Sequence, residues 1–170
     1  NAALTGIEYA SSAIMVSAHR LQDMRHPADA FGLVIPACEN RRILAVSFGS
    51  RKFTGRAPEG HVLLRTFIGG AMQPELMKHS DDELQQIADE ELNDILGVSG
   101  TPLFRHLARY ENSMPQYHVG HVQRVAEIQR LAAQHSGLQL AGSAYEGVGI
   151  PDSIASARKA ADLLLKADMK

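Results

Sequence analysis

The stretch Leu138-Gln-Leu-Ala-Gly-Ser-Ala-Tyr-Glu-Gly-Val-Gly-Ile-Pro-Asp152 restricts this chain more than any other. Leu138 to Ala141 is short and apolar, as a buried strand requires. Gly142, Gly147 and Gly149 punctuate the loop that follows. Beyond Pro151, Ile154-Ala-Ser-Ala-Arg-Lys-Ala-Ala-Asp-Leu-Leu-Leu165 has helix-forming composition, and a proline in the first turn of a helix has no amide hydrogen to satisfy. Strand, glycine loop and helix start together aim free backbone N–H groups and the positive end of a helix dipole at an electron-rich ligand atom. A purely structural turn is the alternative. A dinucleotide fingerprint is not: Gly147-Val-Gly-Ile-Pro-Asp152 supplies the first two glycines of G-x-G-x-x-G, but Asp152 takes the third place and Pro151 removes one phosphate-binding amide.

Upstream, residues 7–70 read as β-rich. Ile7 to Val16 suits a long strand, and His19 to Ala30, with Pro27, a polar loop. Phe31-Gly-Leu-Val-Ile35 and Ile43-Leu-Ala-Val-Ser-Phe48 flank a turn at Glu39-Asn40, which predicts a hairpin. After a loop bearing Arg51, Lys52 and Arg56, His61 to Ile68 forms a strand that stops at Gly69-Gly70. The period then changes over residues 74–97. Ser80-Asp-Asp-Glu83 is a capping box, Leu84, Ile87, Ala88, Glu91, Leu92, Ile95 and Leu96 recur at helical spacing, and Gly97 terminates. This helix is expected to cover one face of a sheet, its acidic residues complementing the dipole and facing solvent. Phe104 to Tyr110 reads as a further strand and Met114-Pro-Gln-Tyr117 as a break. A helix over His121–Gln134 follows, with Val122, Val125, Ile128 and Leu131 as its apolar stripe. The fold class is therefore α+β: a mixed or antiparallel sheet with covering helices, followed by a β-α segment.

Charge and composition exclude several functions. A net charge of -2 with no long basic run argues against nucleic acid as a partner. Cys38 is the single cysteine, so no internal disulfide or cysteine-rich zinc site can form, and it is expected to be a small buried residue. No metal site is expected: His118 and His121 straddle Gly120 and lack further donors. No G-x-S-x-G or Cys/His pairing marks a nucleophile, and no apolar segment approaches the roughly 20 residues that span a bilayer. Asn1-Ala2 carries no initiator Met, as expected of a cloning remnant ahead of a piece of a longer protein. A chain without catalytic acids or bases fits enzymes whose cofactor performs the chemistry.

Two segments, Ser113-Met-Pro-Gln-Tyr-His-Val-Gly-His121 and Leu140-Ala-Gly-Ser-Ala-Tyr-Glu-Gly-Val-Gly-Ile-Pro-Asp-Ser-Ile154, closely resemble the C-terminal region of the FAD-dependent, oxygen-using protoporphyrinogen oxidase family. The resemblance extends through Phe31-Gly-Leu-Val-Ile-Pro36, Ser50-Arg-Lys-Phe53, Arg56-Ala-Pro58 and Phe67-Ile-Gly-Gly70, and so covers nearly the whole chain. It implies that residues 1–110 are part of a substrate-binding domain and that residues 111–170 return to an FAD-binding domain. It places Val148, Gly149 and Ile150 beside the flavin. Tyr110 falls where many relatives carry a tryptophan near that ring. Ser143 and Ser153 depart from the Asn or Ala, and the Cys, frequent there. Phe31, Val34, Phe67 and Met114 would line an apolar substrate cavity, with ordinary core packing as the competing account; Arg51, Lys52 and Arg56 are offered for the substrate's propionates.

The implied reaction is hydride removal from protoporphyrinogen IX, with dioxygen as final acceptor and protoporphyrin IX as product. The glycine motif that holds the ADP half of FAD is absent from these residues. The piece alone is therefore expected to retain no FAD and to lack turnover, its missing N-terminal part being a necessary partner. A cytoplasmic location with peripheral membrane contact is compatible with an apolar substrate. Another flavin amine oxidase or desaturase, or a non-enzymatic tetrapyrrole-binding module, are the alternatives.

Overall fold

A computed structural model describes residues 2–168; Asn1, on which the expectation of a cloning remnant partly rests, lies outside them. The elements are α1 (Ala2–Thr5), β1 (Tyr9–Arg20), β2 (Gly32–Val34), β3 (Ala45–Phe48), α2 (Gly49–Lys52), β4 (His61–Gly69), α3 (Asp81–Leu96), β5 (Phe104–Pro115), α4 (His121–Ala132) and α5 (Ile150–Asp168). They form two compact units, Ala10–Met114 and the pair Asn1–Tyr9 with Pro115–Lys170. The chain thus changes unit at residues 9/10 and again at 114/115, whereas the sequence divided it once, near residue 110.

The first unit is a five-stranded sheet in the order β2-β3-β4-β1-β5. The expected hairpin is present, Leu33 opposite Val46, with Asn40 in the left-handed conformation its turn needs. β4 pairs antiparallel with β3 and with β1, Phe67 standing between Ala45 and Ile14. β1 runs on to Arg20, so the polar loop begins later than predicted. β5 continues past Tyr110 to Pro115, because at the edge of a sheet a proline costs no ladder hydrogen bond.

Strand alternation gives the sheet two faces. One carries Ala13, Met15, Val46, Phe48, Val62, Leu64 and Ile68, all buried against Leu84, Ile87, Ala88, Leu92 and Leu96 of α3. The capping box of α3 is complete: Ser80 Oγ accepts the Glu83 amide, and the Glu83 carboxylate accepts the Ser80 amide at 2.7 Å. The Ser80 amide and the Ser80 hydroxyl, both donating to that carboxylate, hold Glu83 below the ordinary carboxylate range. Gly97 ends the helix with φ +63. One acid departs from the expected solvated face. Glu91 is buried, accepting the Arg42 amide at 3.1 Å with Arg41 Nη1 at 3.5 Å, so it anchors the turn after β2 instead. Cys38 departs too: it lies on that turn and is exposed.

In the second unit α4 and α5 bury Val125, Ile128, Ser156 and Ala160, and α1 packs against α4. The stripe of α4 differs from prediction by one place. His121 is buried, while Val122 is 76% exposed. Leu138–Ala141 is not a strand. No other strand of its unit lies beside it among the described residues, and an extended segment without a ladder partner is not a strand.

Candidate functional site

The glycine loop is fastened at both ends. Gly142 donates its amide to Oγ of the buried Ser156 on α5 at 3.1 Å. Tyr117 donates its hydroxyl to the Ser143 carbonyl at 2.6 Å, and its ring stacks on His121 with centroids 3.9 Å apart. Burial, with the charges of Asp152 and Glu146, raises the Tyr117 phenol above its ordinary value, keeping it a proton donor at neutral pH. His121 therefore belongs to this assembly, which sequence reasoning missed because a helical period does not say which of two adjacent residues turns inward.

Pro151 and Asp152 lie in the first turn of α5, and Asp152 Oδ2 accepts the Gly149 amide at 3.3 Å. Gly147 is obligatory beside it: its φ is +70, and a Cβ there would come within 2.6 Å of the Asp152 carboxylate. The helix start is thus not the bare positive end expected from sequence. It carries its own anion, stabilised by the dipole, and one of the predicted amides is engaged. No acceptor among the described residues meets the Ile150 amide. Val148 and Ile150 are 68% and 78% exposed, so this edge is open to a ligand.

The second cluster lies in the sheet unit. Phe31, Val34 and Phe67 share a shallow hollow of about 280 Å³ with Ala45 and Ser47, on the face opposite α3. Leu107 packs into the core and Arg109 binds Asp81 of α3, so alternation turns Tyr110, between Arg109 and Glu111, to the uncovered face as well. Tyr110 is exposed. Met114 does not line the hollow: it lies on the edge strand β5, two places from Phe67 on β4. Arg51 donates to the Ala28 carbonyl, and Lys52 and Arg56 sit over the ring of Phe53, 5.8 and 5.5 Å from its centroid. His118 and His121, three apart in sequence, take different partners, His118 going to Glu8 at 3.1 Å and His121 under Tyr117.

The antiparallel sheet backed by α3 and the segment in which a glycine loop opens α5 have counterparts among known proteins. Residues 10–165 match the family described as flavin containing amine oxidoreductase, and the chain belongs to that family. Among its relatives are a coproporphyrinogen III oxidase of Bacillus subtilis (strain 168), 38% identical over 72% of this chain and 26% of that protein, and protoporphyrinogen oxidase 2 of Arabidopsis thaliana, 31% identical over 95% and 32%. A solved structure from Exiguobacterium sp. 255-15, provisionally assigned as a protoporphyrinogen oxidase, superposes with a TM-score of 0.81 at 30% identity, covering 96% of this chain and 36% of that one. The chain spans about a quarter to a third of the length of the curated relatives it matches.

Proposed function

We propose that this chain is the part of a flavoprotein oxidase that receives a porphyrinogen, protoporphyrinogen IX in the first instance, for oxidation to the porphyrin with dioxygen in haem biosynthesis. The observation that carries the reading is the uncovered sheet face, where Phe31, Val34 and Phe67 gather in one apolar hollow on the side that also presents Tyr110. A flat, largely apolar macrocycle needs such a surface. Similarity along 95% of the chain to a protein named for protoporphyrinogen oxidation supports it.

Bound flavin would supply the hydride-accepting chemistry. The chain's own residues position and shield. Val148, Gly149 and Ile150 present the open edge of α5 to the ring, Tyr117 and Ser156 hold the loop that carries them, and Asp152 fixes the turn. Tyr110 offers an exposed ring for stacking on a flat ligand. Residues 1–170 alone retain no FAD and do not turn over. We propose a cytoplasmic location, and the apolar substrate supports peripheral membrane contact there.

Coproporphyrinogen III is the second substrate to consider, because the Bacillus subtilis relative, at 38% identity, is named for it. The test gives the flavin-loaded, full-length parent either porphyrinogen, or an amine, and follows porphyrin fluorescence and dioxygen uptake. Oxidation of a porphyrinogen is expected; oxidation of amines alone would overturn the reading. Desalting residues 1–170 after incubation with FAD should leave no bound flavin.

A further inference from the structure

The uncovered face of the sheet holds one unpaired cation in its middle. β4 turns Leu63, Arg65 and Phe67 to that side, and in register Arg65 stands between Val16 on β1 and Ser47 on β3. Ser47 lines the hollow, and the Arg65 guanidinium lies 5.4 Å from the ring centroid of Phe67, which lines it as well. Arg65 is exposed, and no carboxylate among the described residues pairs with it. Four other arginines of the unit are committed to carboxylates: Arg41 and Arg42 to Glu91 and its neighbours, Arg105 to Asp89, Arg109 to Asp81. All four hold acids of α3. Arg65 faces away from that helix, and its immediate neighbours are apolar or neutral.

A guanidinium held over an aromatic ring keeps its outer N–H fork free for a planar anion. Next to an apolar hollow, the complementary ligand is a carboxylate tethered to a flat apolar body. We infer that Arg65 is a specificity-determining residue which takes a propionate carboxylate of the porphyrinogen while the macrocycle lies on Phe67 and Val34. This deepens the porphyrinogen reading above and rests on it. It adds a residue on the sheet itself to Arg51, Lys52 and Arg56 as candidates for the carboxylate contact. The role is one of binding: Arg65 sets affinity and orientation and takes no part in the hydride step.

The test uses the full-length parent and the product porphyrin, protoporphyrin IX, as a non-reacting ligand, titrated by fluorescence at low ionic strength. Arg65→Gln is expected to raise Kd about 10-fold, the size of a lost charge-assisted contact, and Arg65→Lys to recover part of that loss. Turnover of a porphyrinogen by Arg65→Gln should show the change in KM with kcat nearly constant. An unchanged Kd in Arg65→Gln would overturn the inference, and doubly so if Tm fell, since the partner of Arg65 would then be a protein carboxylate. The two readings fail separately. A wild-type parent that neither binds porphyrin nor oxidises porphyrinogen removes the functional reading. A wild-type parent that does both, beside an unaffected Arg65→Gln, removes only the role of Arg65.

Discussion

In the sheet unit, α3 and the strands supply both sides of one core, Leu84, Leu92 and Leu96 meeting Met15, Phe48 and Leu64, each at most 1% exposed. In the unit built from α1, α4 and α5, the buried apolar side chains among the described residues are Ile7, Val125, Ile128 and Ala160, while Val119, Val122, Val148 and Ile150 stand in solvent. The contrast separates two ways of being specified. The first unit's pattern is answered within its own sequence. The second unit's apolar residues, and the segment Leu138–Ala141 outside any ladder, find few partners there, so its geometry rests on a few local bonds such as Tyr117 to Ser143.

Substitutions can break this contrast or sharpen it. The largest effect is expected from Leu92→Ala, at about 2–5 kcal/mol, because the site is enclosed between α3 and the sheet and cannot collapse freely; urea unfolding followed by circular dichroism measures it, and a loss under 1 kcal/mol would mean the core is looser than described. The next is a dependence on pH. His19 is buried, hydrogen-bonded to Ser17 at 2.9 Å, and burial lowers its pKa below the ordinary 6.5 against the opposing charges of Asp89 and Asp23. The folded state thus binds that proton less readily than the unfolded state. This contribution to stability is present above the ordinary value and is lost as pH falls through the folded one. Thermal unfolding at a series of pH values should show the loss, and His19→Gln should reduce it. Ser80→Ala, which removes one side of the capping box, is expected to cost about 1 kcal/mol, again read from urea unfolding. The smallest and most local effect belongs to Tyr117→Phe. Amides from Ser143 to Val148 should exchange with deuterium about 3–10 times faster, as the loss of one net hydrogen bond implies, with the sheet unit unaffected; equal exchange would show that the loop does not depend on this tether.

Legibility in the sequence followed the same division. α3 could be read because its signals are local: Ser80 and Glu83 are three residues apart, and Gly97 needs only its own φ. The hairpin of β2 and β3 was equally local, set by Asn40. Leu138–Ala141 looked like a strand because it is short and apolar, but a ladder is a property of two segments, and no second one lies beside it among the described residues. His121 and Val122 are adjacent, so periodicity tolerated either as the inward residue. Tyr117, stacked on His121, fixed the choice through tertiary packing. For the hollow, Phe31, Val34 and Phe67 were named as candidates from the family resemblance, and pairing in register brought them together. Met114 was in the same set, yet strand order puts it at the opposite edge. Arg65 was passed over because a lone arginine in a strand reads as surface. Only the register, with Val16 on one side and Ser47 on the other, shows how isolated its charge is.

The path of the chain at Tyr9 and Pro115 carries a consequence for how this protein can be rebuilt. Gln116 donates its amide to the Glu8 carbonyl at 2.8 Å, so the polypeptide leaves for the sheet and comes back from it at neighbouring points, roughly one strand spacing of about 4.8 Å apart. A module whose two ends meet is a cassette. Glu8 and Gln116 can be spliced through a tight turn to omit it, and a sheet of different specificity can be grafted between the same two residues without lengthening either connection.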